Sequence, residues 1–171
     1  RRLLELEVDN LLRIQSGCTL KDSDTAVRIA LVLEPILQER GPAGIYESLL
    51  NTSVEHAGRG NSEALIDLLY ARSLWRRRSG GQLEAVEQDI ETLSAHARES
   101  CNPLLLARAS LYRAGGSLLP AGYIAQAEGQ VRAALLTVES MGRPLDNLLA
   151  FQHLSHIAEW KGEMEEAERH A

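Results

Sequence analysis

Few side chains in this sequence are of a type and spacing to do chemistry. His153 and His156 lie three residues apart, with Glu159 three further. On a helix this spacing can bring two imidazoles and a carboxylate to one side, which is part of a metal-binding set. No third and fourth ligand follows at a recognised spacing, so polar groove or surface residues are the competing reading. Arg72, Arg76, Arg77 and Arg78 gather near the end of a predicted helix. Cations there suit the negative end of the helix dipole and solvate a turn. Arginine forks also match carboxylates and phosphates, so the cluster could clamp an acidic peptide. Glu165, Glu166 and Glu168 read as a solvated helix face. Cys18 and Cys101 stand alone, without zinc-site spacing or a disulfide framework, and fit buried free thiols in a reducing compartment.

Catalytic patterns are missing from the sequence. It contains no nucleophile elbow, zinc-protease motif or redox cysteine pair, and no glycine-rich phosphate loop ending in Lys-Ser or Lys-Thr. Isolated Ser and His residues without partner spacing do not make a triad. We therefore expect no enzyme activity, no cofactor and no metal. A net charge of −6, from 24 acidic and 18 basic residues, repels a phosphate backbone and argues against direct nucleic-acid contact. The longest uncharged run, Ala114 to Ala127, is interrupted by Gly115, Gly116, Pro120 and Gly122, so no membrane span is expected and a cytoplasmic location is. The chain opens Arg1-Arg2-Leu3 and stops at Ala171 inside a helical pattern, as a segment cut from a longer polypeptide does.

Start and stop signals divide the 171 residues into about nine helices. The first covers about residues 2 to 16, with Leu4, Val8, Leu11 and Leu12 at helical spacing. Asp22 or Ser23 caps the second, which runs to Arg40 with Ala26, Ile29, Ala30, Leu33 and Leu37 on its apolar face and Pro35 predicting a kink. Gly41-Pro42 breaks it, and a partner runs from Ala43 to Ala57 until Gly58 to Gly60. Asn61 or Ser62 caps a helix to Arg78, Gly80-Gly81 turns the chain into a helix from Gln82 to Glu99, and Asn102-Pro103 opens another that fails at Gly115-Gly116. Ser117 to Gly122 reads as a longer turn, followed by helices over 122 to 140, Pro144 to Trp160 and Glu163 to Ala171.

These helices pair in a repeat. Gly44, Gly81, Gly122 and Gly162 are each followed two residues on by an apolar residue, and their separations are 37 (81−44), 41 (122−81) and 40 (162−122) residues. Ser73-Leu74-Trp75-Arg76, Ser110-Leu111-Tyr112-Arg113 and Ser155-His156-Ile157-Ala158 echo one another in the first helices of successive pairs. Such self-similarity predicts a single all-α domain over 1–171, a right-handed α-solenoid of about four hairpins.

The last unit resembles a tetratricopeptide repeat: Phe151, Leu154, Ser155, Gly162, Met164 and Ala167 fill its aromatic, leucine, small, glycine, apolar and alanine positions, while Ala158 stands where the motif usually has tyrosine. The period near 40 and the opening Glu7-Val8-Asp9-Asn10-Leu11-Leu12-Arg13 look like the helical repeat region of large bacterial signal-transduction ATPases of the STAND type, which include ATP-dependent transcriptional activators. That resemblance implies a segment that receives a protein or peptide partner or a small-molecule inducer and so regulates transcription. It also implies a ligand groove on the first helix of each pair. In the last unit this points to Gln152, His156 and Glu159. Aligning the serines sets Tyr70 and Arg77 opposite Gln152 and Glu159, whereas aligning the glycines sets Arg78 opposite Glu159. A small-molecule receptor of the same fold and a self-association (homodimer) module are the alternatives.

Overall fold

The computed structural model describes residues 2–17, 23–40, 43–58, 62–80 and 83–170. Among them every regular element is helical and no strand occurs, as a mixture rich in Leu, Ala, Glu and Arg favours. No described helix is long and apolar enough to cross a membrane. The expectations placed on Cys18, Asp22, Gly41, Pro42, Gly60, Asn61 and Gly81 fall outside the described residues. The chain forms two compact units, Arg1–Leu83 and Glu84–Ala171.

The first unit contains α1 (Arg2–Gly17), α2 (Ser23–Arg40), α3 (Ala43–Ala57) and α4 (Ser62–Arg78). Each packs on the next, and α2 also reaches α4. Of the predicted stripe on α2, Ala26, Ala30, Leu33 and Leu37 are buried and Ile29 is half-buried; Tyr46, Leu49 and Leu50 of α3 and Ile66, Leu68 and Leu69 of α4 are buried too. Pro35 lies on the exposed side of α2, which continues through it to Arg40. Tyr46 donates a 2.6 Å hydrogen bond to Glu34 Oε1 and meets the Trp75 ring edge-on, with centroids 4.9 Å apart. Burial first, and then the carboxylate it bonds, push the Tyr46 phenol far above its ordinary pKa.

The second unit holds the body of α5 (Leu83–Glu99), then α6 (Pro103–Arg113), α7 (Ile124–Ser140), α8 (Pro144–Lys161) and α9 (Met164–His170). Again consecutive helices pack from α6 onward, and α6 also touches α8. Asn102 caps α6 through Oδ1, which accepts from the Leu104 N–H at 2.9 Å, with Pro103 in the first turn. α7 buries Ala127, Val131, Ala134 and Val138, one stripe at helical spacing.

Three expectations need correction. Cys101, read as a buried free thiol, is an exposed one. The break expected at Gly115-Gly116 is right in part: α6 ends at Arg113 and residues 119–122 form a turn, but between them Ala114–Leu118 forms a π-helical turn, and Leu118 and Leu119 stay buried. Glycine pairs break isolated helices, but here α8 packs onto the glycine backbone and the wider turn keeps the hydrogen bonds closed. Nor are the four glycines equivalent. Ile124 begins α7 two residues after Gly122 and Met164 begins α9 two after Gly162, whereas Gly44 already lies in the first turn of α3. Besides Gly80 in the first unit, the second unit has a series of left-handed glycines, Gly122, Gly142 and Gly162, with φ of 81°, 63° and 79°. At each, the glycine N–H bonds a carbonyl three residues back and the next N–H one five back, the Schellman arrangement that needs a left-handed residue.

Candidate functional site

α8 has one buried and one exposed face. Pro144 starts it, Asp146 places a carboxylate at the positive end of its dipole, and Gly162 stops it. Asp146, Ala150, His153, Leu154, Ile157 and Ala158 turn inward. Leu145, Leu148, Gln152, His156 and Glu159 follow the same helical spacing on the outside, with Trp160 beside them. Leu145 is 80% and Trp160 55% exposed, and Leu136 of α7 is comparably exposed.

The inward face is fixed by polar contacts. Asp146 Oδ1 accepts from Arg108 Nε of α6 at 3.1 Å, and both side chains are under a tenth exposed. Its other oxygen accepts from Arg143 Nε at 3.2 Å. Arg108 also donates from Nη2 to the Tyr112 hydroxyl at 3.0 Å. One turn below Ala150, the His153 ring lies on the π-helical turn: a Cβ on Gly115 would stand 2.4 Å from His153 Cε1, nearer than any side chain tolerates. The ring bonds the Leu111 backbone, and its Nε2 has no partner among the described residues. Burial, helped by the charge of His156, lowers its pKa to about 4, so the imidazole is neutral at pH 7. Ser155 closes the far side by donating to the Ala167 carbonyl at 3.1 Å.

This geometry separates the three residues considered for a metal. His153 is buried against Gly115, whereas His156 and Glu159 are exposed. Among the described residues no group of three or more His, Cys, Asp or Glu side chains is placed to hold a metal ion.

Gln152, His156 and Glu159 are thus brought to one exposed face. Tyr70, Arg77 and Arg78 lie on α4 in the first unit. Arg78 is exposed, while Tyr70 and Arg77 are half-buried. Burial raises the Tyr70 phenol, and the nearby charges of Arg77 and Arg78 partly offset this. Arg76, Arg77 and Arg78 form the last turn of α4, as the dipole argument expects, and Arg72 donates to Asn51 Oδ1 at 3.2 Å. Ser73 and Ser155, which define the serine alignment, are both buried.

Sequence reasoning missed Arg108, Asp146, Gly115 and the outward Leu145 and Leu148. The only trace of the ion pair in the sequence is its separation of 38 residues (146−108), close to one repeat. Comparison with known proteins assigns no relative: no family model and no curated protein matches the chain.

Proposed function

We propose that this chain is a non-catalytic tetratricopeptide-like α-solenoid that holds a protein or peptide partner against the exposed face of α8, as the interaction or inducer-sensing segment of a cytoplasmic bacterial transcriptional or signalling regulator. The observation that carries the reading is the outward stripe Leu145, Leu148, Gln152, His156 and Glu159 with Trp160 at its edge. Leucines and an aromatic ring supply apolar anchors, and the amide, imidazole and carboxylate supply orientation, the mixture found where a helix or peptide docks. The ion pair and the His153 contact hold the stripe in place from below, so a partner meets a preformed surface and little ordering entropy is lost. Binding to one arrangement of a larger regulator would shift its population and hence its output. Next-but-one packing of α2 with α4 and of α6 with α8 within the two units also supports the repeat reading.

A photo-crosslinking residue at Gln152 or His156 should capture one protein band that the same residue at Gln126, on the exposed side of α7, does not. Leu148→Glu should abolish that capture while leaving the circular dichroism spectrum unchanged. Equal capture from Gln126, or capture that survives Leu148→Glu, would reject the α8 face. A crosslink to a second copy of this chain would move self-association ahead of a foreign partner.

A further inference from the structure

A second place in the second unit carries chemistry that the α8 face does not use. Glu87, Glu91, Ser94 and Arg98 recur at three- and four-residue spacing along one side of α5. Together with Ile90 and with Arg113 at the end of α6 they line a cleft of about 170 Å³. Ile90 forms an apolar floor, only 2% exposed. Two carboxylates and two guanidiniums therefore face a common space, yet no ion pair joins any of them. Glu87 is oriented by the Ser117 hydroxyl, which donates to its two oxygens at 2.9 and 3.0 Å. Arg98 Nε donates to the Ser94 carbonyl at 3.1 Å, which leaves its terminal amino groups for another acceptor. Glu91 and Arg113 have no hydrogen-bond or ion-pair partner among the described residues.

Opposite charges that surround a void without closing on one another match a ligand bearing both signs. A simple anion in the cleft meets two carboxylates, and a simple cation meets two guanidiniums. A zwitterion places its ammonium by Glu87 and Glu91 and its carboxylate by the forks of Arg98 and Arg113. The volume lies below the roughly 300–1,000 Å³ of sites for drug-sized ligands, so the ligand is compact. We propose that the cleft between α5 and the end of α6 binds a small zwitterion of the amino-acid class. This inference does not depend on the partner-binding role of α8, since it invokes none of that helix's residues.

Calorimetric titration of the whole 171-residue chain with glycine, β-alanine and γ-aminobutyrate, beside propionate and propylammonium as single-charge probes, tests it. At least one zwitterion should saturate the protein, with both single-charge probes about tenfold weaker or more. Arg113→Gln should weaken the zwitterion and propionate and leave propylammonium unchanged, Glu91→Gln should do the reverse, and Arg113→Lys should lose less than Arg113→Gln. Both positions are exposed, and circular dichroism verifies that the variants fold. The proposal is overturned if no zwitterion saturates below about 10 mM, if a single-charge probe binds as tightly as the best zwitterion, or if both folded charge-removing variants bind like the parent.

Discussion

In the first unit the helices meet through Leu33, Leu37, Leu49, Leu50, Leu68 and Leu69, with Tyr46 set edge-on against Trp75. The second unit also buries large side chains, among them Leu105, Leu111, Leu118, Val131, Val138, Leu154 and Ile157, but adds more alanine (Ala107, Ala109, Ala114, Ala127, Ala134, Ala150 and Ala158), Gly115 under an imidazole and a buried ion pair between α6 and α8. Large aliphatic side chains keep backbones apart and can repack around a defect. Alanine and glycine bring backbones together, so polar side chains at the contact must match closely or remain unsatisfied. The two units should therefore answer mutation differently: graded losses of volume in the first, failures tied to single pairings in the second.

The largest effect expected from this difference is at Arg108. Arg108→Ala leaves the Asp146 carboxylate buried with Arg143 as its remaining charged partner within the second unit, and should cost about 3–5 kcal/mol in urea unfolding at neutral pH. Replacing both Arg108 and Asp146 by leucine should recover most of that loss, because a buried pair exchanged for apolar groups is often near neutral. Leu50→Ala in the first unit should cost a comparable ~2–5 kcal/mol, but no single partner substitution should restore it. A loss at Arg108 below about 1 kcal/mol, or a double variant no better than the single, would remove the contrast between the units.

Acid titration sharpens the comparison with a somewhat smaller effect. His153 is held near pKa 4 in the folded chain against 6.5 when free, so the unfolded state takes up the proton first. The stability from the neutral ring is complete above about pH 6.5, falls as the pH drops towards 4, and does not change further below that. The loss amounts to about 3 kcal/mol at most. His153→Asn should start from a lower stability at pH 7 and show a flatter profile across that window. Parallel profiles for the two proteins would mean that the imidazole is not desolvated against the π-helical turn.

Much of the helix pattern was readable before the structure, and the reasons it failed are local. Ser62–Arg78 and Pro103 onward start where cap and proline chemistry placed them, since both signals act within one turn. The stripe Ala26, Ala30, Leu33 and Leu37 is buried because periodicity on α2 is strong. The π-helical turn at Gly115-Gly116 was missed because a glycine pair is locally a breaker, while the ring that packs against Gly115, His153, lies 38 residues further on (153−115). His153 and His156 were given one face because spacing alone does not say which of two imidazoles turns inward. On α8, the resemblance to a tetratricopeptide repeat pointed to Gln152, His156 and Glu159 together, whereas nothing singled out Leu145 and Leu148, since leucine is buried far more often than exposed. Arg108 and Asp146 carried no signal, because a charged pair across two helices looks like surface until the helices are packed.

Gly115 tests the close-approach half of the comparison in isolation, with the smallest effect and the clearest sign. By helix propensity alone, Gly115→Ala stabilises by about 0.5–1 kcal/mol, because glycine gives up more backbone freedom on folding. By contact alone it destabilises, since the new methyl would stand 2.4 Å from His153 Cε1 and 2.6 Å from Nε2, and overpacking of this kind costs roughly 1–3 kcal/mol. The contact should win, because the ring is buried and tethered to the Leu111 backbone and has little room to withdraw. A net loss of about 1–2 kcal/mol is therefore expected for the single variant. In a His153→Ala background the same substitution meets no ring, and its sign should reverse to a gain of up to about 1 kcal/mol. The double-mutant cycle isolates the coupling from the cost of losing the imidazole itself. If Gly115→Ala stabilises both backgrounds, the approach of α8 to the π-helical turn is looser than the ring contact requires, and the second unit is packed by bulk as the first is.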